Sequence, residues 1–181
     1  MAKRLLIVVA AIGLLAGVGG FAGRAAFTDQ ETVADNTFGS GDVDLVLGTT
    51  TALVTYSDMK PGDTTGAQDL LVTNNGSLDL TYTVSTTMDT DTGTPLLGDA
   101  LDLTIWEDVN QDGCTAPSTG DDGAELYGAG DLNDGAIGTP RALAASGANE
   151  TLCFKVDFPS AATGPEGASA DANFVFDATQ S

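Results

Sequence analysis

The feature of this sequence that most constrains its fold is an alternation of apolar and polar residues with a period of two. The alternation is clearest from Leu152 to Phe158, where every second residue is a large apolar one. Further segments with this pattern lie at 43–47, 68–73, 78–84, 101–105 and 174–178, beside a short apolar run at 53–56. A period of two places alternate side chains on opposite faces of a β-strand, whereas a helix requires a period near 3.6. The pattern predicts strands, and no convincing amphipathic helix appears.

Clusters of Gly, Asp, Asn and Pro separate these segments, and two of them are strong turn signals. Lys60-Pro61-Gly62-Asp63 combines a proline that fixes φ with a glycine that allows a positive φ. Asn74-Asn75-Gly76-Ser77 contains the Asn-Gly pair that is typical of tight turns. About seven or eight strands without helices predict an all-β fold. We expect an antiparallel, jelly-roll-like β-sandwich over residues 42–181.

Residues 1–25 have the composition of a secretory signal peptide. Lys3 and Arg4 precede an apolar run at 5–23, and small residues precede an expected cleavage between Ala25 and Ala26. Signal peptidase is then a partner during export. The run of 19 residues is close to the ~20 that span a bilayer. An uncleaved anchor therefore remains the alternative, and it is the only form in which we expect membrane contact.

The chain after residue 25 is strongly acidic. It carries 26 acidic and three basic side chains, which gives a net charge of −23. Nucleic acids and anionic membranes attract cations, so neither is expected as a partner. Such a surface suits simple solubility, a saline medium or bound divalent cations.

The rare residue types exclude several kinds of enzyme. The chain has no histidine, which removes Ser-His-Asp and Cys-His nucleophile systems and almost every catalytic zinc site. Its two cysteines, Cys114 and Cys153, are typical of an exported protein with one disulfide. Cys153 alternates away from the Leu152/Phe154 face, so its sulfur is expected to face a covering loop. We predict that the protein is not an enzyme.

Residues 107–149 are rich in Gly, Asp, Ala, Asn and Thr and are predicted to be a long acidic loop region. A structureless loop of this length is uncommon, so we expect order from the disulfide, from a metal, or from short strands near Leu126-Tyr127.

One segment of this region has the spacing of a calcium loop. Oxygen-bearing side chains at Asp108, Asn110 and Asp112 are two residues apart, and Gly113 allows a sharp turn. Asp121 or Asp122 would complete a looser site than an EF-hand, because the flanking helices and the closing glutamate are absent. An acidic turn without a metal is the alternative.

Two N-x-[ST] sequons occur at Asn75 and Asn149, and both lie in predicted turns. Either asparagine is a candidate glycosylation site in a cell that modifies such sequences.

Several motifs, in this order along the chain, carry a family resemblance. They are AAFTD at 25–29, TFGSGDVDL at 37–45, MKPGD at 59–63, NNGS at 74–77 and FVFDATQ at 174–180. Together they resemble the TasA/camelysin family of secreted biofilm-matrix fibre subunits with a SipW-type signal peptide. The resemblance covers the leader, the first third and the last strand, while residues 86–150 match loosely.

The resemblance implies a secreted jelly-roll subunit that polymerises head to tail with copies of itself. The N-terminal arm at 26–41 would add a strand to the sheet of a neighbouring subunit, with Phe27, Val33 and Phe38 as anchors in pockets. A disordered tail or an edge strand of the same domain are the alternatives. Part of the family is described as metallopeptidase-like, but this sequence lacks an H-E-x-x-H motif, so protease activity is not carried over.

These observations predict an extracellular structural subunit of cell-surface or biofilm-matrix fibres. The main alternative is a monomeric calcium-dependent cell-surface binding module or adhesin. A secreted hydrolase is a third possibility, which the absence of histidine disfavours.

Overall fold

The computed structural model describes residues 39–49, 51–111, 113–114 and 123–181. By its internal contacts the chain divides into Met1–Gly39 and Ser40–Ser181, and the elements below belong to the second unit. The strands are β1 (Leu45–Leu47), β2 (Gln68–Asn74), β3 (Leu80–Asp91), β4 (Asp102–Glu107), β5 (Glu125–Asp131), β6 (Ala136–Leu143), β7 (Ala148–Asp157) and β8 (Ala170–Gln180). A four-residue helix α1 (Leu97–Ala100) and a 3₁₀ turn (Leu132–Asp134) connect neighbouring strands. Within these residues, no helix is long and apolar enough to cross a membrane.

The strands form two antiparallel sheets. Sheet A has five strands in the order β1-β2-β7-β4-β5, and sheet B has three in the order β6-β3-β8. The chain passes repeatedly between the sheets, as Greek-key connections of jelly-roll sandwiches do. The predicted all-β antiparallel sandwich is confirmed.

The hydrophobic core lies between the inner faces of the two sheets. The alternating residues of β7, β4 and β3 point inward, and they are buried at Leu152, Phe154, Val156, Leu103, Ile105, Leu80, Tyr82 and Val84. These are the residues whose period-two spacing predicted the strands. Each large apolar side chain contributes about 1.5–3 kcal/mol of gross stabilisation on burial, and chain entropy offsets most of the sum.

One prediction about the chain's organisation needs correction. The apolar run at 53–56 is not a strand, and Leu53 instead packs against the core from an irregular connection. Within the region 107–149, β5 contains Leu126 and Tyr127, where short strands were expected, and β6 follows it. A bulge that includes Gly138 and Pro140 interrupts β6, which explains why its sequence lacks a clean alternation.

The outer face of sheet A is covered next to the disulfide. Trp106 and Cys153 are paired across β4 and β7, both are fully buried, and both point away from the inter-sheet core. Cys153 bonds to Cys114, with the two Cα atoms 5.5 Å apart. The predicted disulfide and the outward direction of the Cys153 sulfur are confirmed.

Candidate functional site

The outer edge of sheet B is a long strand that pairs, among the strands that the structure describes, on one side only. β8 pairs with β3 along its whole length, and among the described residues no strand pairs with its other edge. Its inward side chains Phe174 and Phe176 contact Phe154 and Tyr82, with ring centroids 4.7 and 5.8 Å apart. Both phenylalanines nevertheless remain partly exposed, and Val175 on the opposite face is 38% exposed. The edge therefore presents backbone donors and acceptors beside incompletely buried aromatic side chains.

The other sheet edges carry features that hinder strand addition. Along β6, the three residues Gly138–Pro140 lie opposite the single residue Thr83, and the proline lacks a backbone donor. β1 has only three residues, and β5 pairs irregularly with β4 through two register shifts. Among the described strands, β8 is the long edge without a proline, a lysine or a bulge of its own.

A network of ionised groups connects the two sheets at one end of the core. Arg141 on β6 donates hydrogen bonds to Glu107 on β4, at 2.6 Å, and to Glu150 on β7. Tyr82 on β3 donates its hydroxyl to the second oxygen of Glu150 at 2.7 Å. Arg141 and Glu150 are 18% and 9% exposed at the side chain, so solvent screens this network weakly.

The network also shifts protonation equilibria. Burial and the Glu150 carboxylate raise the pKa of the Tyr82 hydroxyl far above its usual range. The pKa of the Arg141 guanidinium is also raised, since its hydrogen bonds and charge interactions with Glu150 and Glu107 outweigh the opposing effect of burial. Both side chains therefore stay in one protonation state at any ordinary pH. The arrangement links the two sheets, and neither Tyr82 nor Arg141 is suited to proton transfer near neutral pH.

A groove of about 630 Å³ lies beside this network, between the edge strands β5 and β6. Glu125, Leu126 and Pro140 are among the residues that line it. It contains no pair of carboxylates or nucleophile with a nearby base, so we assign it no chemistry.

The predicted calcium loop is described only in part. Asp108 is buried, and its Oδ2 accepts a hydrogen bond from the Gly113 amide at 3.2 Å. Asn110 lies in the exposed part of the loop. Asp112 and Asp121 lie outside the described residues, so the convergence of the four predicted ligands stays a prediction.

Both sequons lie on the surface. Asn75 is exposed in the turn between β2 and β3, and Asn149 is exposed at the start of β7. Their glycosylation also stays a prediction. The cleavage site at Ala25 and Ala26 and the anchors Phe27, Val33 and Phe38 lie outside the described residues.

A comparison with family models identifies the family. Residues 2–102, more than half of the chain, match the model described as camelysin metallo-endopeptidase. The chain belongs to the camelysin family. The resemblance read from the motifs is thereby confirmed. No curated protein matches the chain.

The residues of this chain do not fit the catalytic metal that the family description implies. Histidine, the usual nitrogen ligand of a peptidase zinc ion, is absent from the whole sequence. Both cysteines are consumed by the disulfide. Within the described ranges, no three acidic or cysteine side chains lie together in a way that would hold a metal. We therefore derive no peptidase mechanism from the family name.

Sequence reasoning missed two of these features. The open edge of β8 depends on which strands pair over long distances, which no local pattern encodes. The inter-sheet network was missed because Arg141, Glu150 and Glu107 were counted only as charges. The sequence signal for this network is an arginine, a carboxylate and a tyrosine at strand positions whose side chains point inward.

Proposed function

We propose that this camelysin-family protein is a secreted structural subunit that polymerises into extracellular fibres of the biofilm matrix or cell surface. Polymerisation would proceed by addition of the N-terminal arm of one subunit to the sheet of the next. The observation that carries the proposal is the edge of β8 that no described strand pairs with, together with the partly exposed Phe174 and Phe176.

The length and chemistry of the arm support this pairing. Residues 26–38 are thirteen residues long, and at ~3.3 Å per residue they reach about 40 Å. β8 has eleven residues, so one arm is long enough to pair with all of it. The arm is polar apart from a few residues such as Phe27, Val33 and Phe38. Its affinity would come mainly from backbone hydrogen bonds, with these three side chains as anchors.

The geometry of such an addition favours filaments. The arm and the β8 edge are different surfaces, so the contact is heterologous and does not close on itself. Removal of the leader by signal peptidase would free the arm only after export. This order of events would keep subunits apart inside the cell.

A peptide-binding experiment tests the choice of β8. A chain beginning at Gly39 is mixed with a synthetic peptide of residues 26–38, and amide hydrogen exchange is followed by mass spectrometry. We expect slower exchange in β8 and no change in β6. The control peptide carries serine in place of Phe27, Val33 and Phe38 and should protect β8 much less. Equal protection by both peptides, or protection at β6 instead, would contradict the proposal.

The competing function is a monomeric calcium-dependent binding module, and the buried Asp108 carboxylate favours it. Particle size separates the two functions. A calcium-dependent gain in thermal stability without any growth in particle size would favour the monomeric module.

The structural function also predicts the absence of peptidase activity. A casein digestion assay with the purified chain, with and without added zinc, tests this directly. Zinc-dependent cleavage that copurifies with the chain would instead support the metallo-endopeptidase activity that the family description names.

A further inference from the structure

Hydrogen bonds fix the chain where it enters the domain, just before β1. The Asp42 carbonyl accepts from the Ser77 and Leu78 amides at 3.1 and 3.2 Å. The Asp42 amide donates to Ser77 Oγ at 3.0 Å, and that hydroxyl donates to the Asp42 carboxylate at 2.7 Å. The Asp44 carbonyl accepts from the Asn75 amide at 2.8 Å. The base of the N-terminal arm is therefore held on the turn between β2 and β3.

A buried asparagine holds this turn in place. Asn74 ends β2 and is fully buried, and its Oδ1 accepts from the Gly76 amide at 3.0 Å. Its Nδ2 donates to the carbonyls of Leu78 at 2.9 Å and of Leu143, which ends β6, at 3.1 Å. A Cβ atom at Gly76 would lie 2.5 Å from the Asp42 carbonyl oxygen, so only glycine allows this close approach. The turn that carries the arm is thus tied to both sheets.

The direction of β8 relative to this turn is also fixed. β3 begins at Leu80, directly after the turn, and Leu80 pairs with Gln180 at the end of β8. β8 begins at the opposite end of the sandwich, where Ala170 pairs with Asp91. The arm therefore leaves the domain at the end where β8 finishes.

These positions restrict how an arm can pair with a β8 edge. An arm that folded back onto β8 of its own subunit would run in the same direction as β8, which makes a parallel pair. All strand pairs that the structure describes are antiparallel, and parallel pairs are slightly less stable per residue. An arm that extends away from its own domain instead meets the start of β8 in a neighbour of the same orientation. It then runs antiparallel to that strand, as β3 does on the other side.

We propose that the arm of one subunit pairs antiparallel with β8 of a second copy of this chain. The arm would enter beside Ala170 of that copy, and its first residues would lie beside Gln180. Successive subunits would then repeat in one orientation along the direction of their strands, which is a contact that does not close. The inference rests on the proposed function, to which it adds the direction of the arm and the relative orientation of the subunits.

Cross-linking between introduced cysteines tests this direction in assembled filaments. The chain's own two cysteines form the disulfide, so introduced thiols are the only free ones. The chain beginning at Ala26 carries Thr28→Cys together with either Thr179→Cys or Asn173→Cys, and both β8 positions are exposed. Six residues separate these two positions, or about 20 Å along a strand, so a thiol cross-linker of shorter span distinguishes them.

Antiparallel pairing predicts a ladder of covalent multimers on a denaturing gel from Thr28→Cys with Thr179→Cys. The ladder should be lost when Asn173→Cys replaces Thr179→Cys. Asn36→Cys, near the other end of the arm, is the reciprocal variant and should join to Asn173→Cys in place of Thr179→Cys. It also decides the direction if Thr28→Cys fails to assemble.

The opposite pattern would overturn the direction. Cross-links from Thr28→Cys to Asn173→Cys between chains would indicate parallel pairing, and the same cross-link within single chains would indicate an arm folded onto its own subunit. Filaments without any cross-link would place the arm away from β8 and would also overturn the inference. Filaments that form with the wrong pattern leave polymerisation intact, whereas an unaltered chain that forms no filaments would remove the proposed function itself.

Discussion

At the scale of single residues, the most consequential side chain is Arg141. It is the only described cation that contacts two carboxylates on other strands, Glu107 and Glu150, and it links sheet B to sheet A. The ion pair between Lys155 and Asp157 lies within one strand, and both partners are about one-third exposed. The stability contribution of each basic residue should therefore depend more on how deeply its side chain is buried, and on which strands its ion pairs connect, than on its charge.

We predict that Arg141→Met lowers the free energy of unfolding by about 3 kcal/mol, because it leaves Glu150 buried without its cation. Lys155→Met removes the same charge and should cost less than about 1 kcal/mol. Urea denaturation at fixed ionic strength measures both values. Equal losses in the two variants would show that the inter-sheet network has no special role.

Asp102 illustrates a residue whose position works against stability. It lies between Asp131 on β5 and Asp157 on β7, directly opposite both in the strand pairing. Burial and then these two like charges raise the pKa of the Asp102 carboxyl above its ordinary value of 3.8. A raised pKa in the folded state means that the protonated form is favoured there. The free energy of unfolding should therefore fall as the pH rises through the folded pKa.

We predict that Asp102→Asn stabilises the protein at neutral pH, because it removes the central charge of this row. The gain should shrink in high salt, through screening, and vanish below a pH of about 3.8, the ordinary value, where the unaltered chain is protonated in both states. Thermal unfolding across pH and salt measures the gain. Asp69→Asn on β2 is the control, and a gain of the same size there would indicate a general effect of net charge.

At the scale of elements, the sequence predicts the strands whose alternation is unbroken and misses the strand that a bulge interrupts. The alternation at Leu152–Phe158 and Leu101–Ile105 is visible because one face of each strand packs large apolar residues into the inter-sheet core, whereas the other face carries polar residues such as Thr104 and Thr151 even where it is covered. β6 is invisible because a three-residue bulge with Pro140 breaks its period. The edge strand β8 has no bulge of its own, and its alternation at 174–178 is visible in the sequence.

The candidate sites also differ in how well the local sequence predicts them. The disulfide could be predicted because two cysteines allow only one intrachain pairing, and because the parity of Cys153 within its strand gives its direction. The open edge of β8 could not be predicted, because it depends on the long-range pairing of all the described strands, none of which lies beside that edge. The spacing of Asp108, Asn110 and Asp112 predicts a calcium loop, but it does not predict the burial of Asp108, whose backbone amide donates to the Thr151 carbonyl.

At the scale of the whole molecule, the net charge would oppose the proposed assembly. Subunits without the leader each carry a net charge of −23, so neighbours in a fibre would repel. Salt reduces this repulsion over a distance of ~10 Å at 0.1 M, and divalent cations can also bridge carboxylates.

We predict that filament growth, followed by light scattering, increases steeply with sodium chloride or calcium. The Asp108→Asn variant separates general screening by calcium from binding at the predicted calcium loop, since general screening would persist in it. Growth that is equally fast in low salt with a chelator would contradict this part of the account.

In the proposed fibre the segment before Gly39 joins one subunit to the next, and electron microscopy of negatively stained samples shows whether it does. A chain beginning at Ala26 and a chain beginning at Gly39 are compared at the same concentration in high salt with calcium. The account predicts filaments from the longer chain and single particles from the shorter one. Single particles from both chains would contradict polymerisation, and filaments from both would contradict the role of the arm.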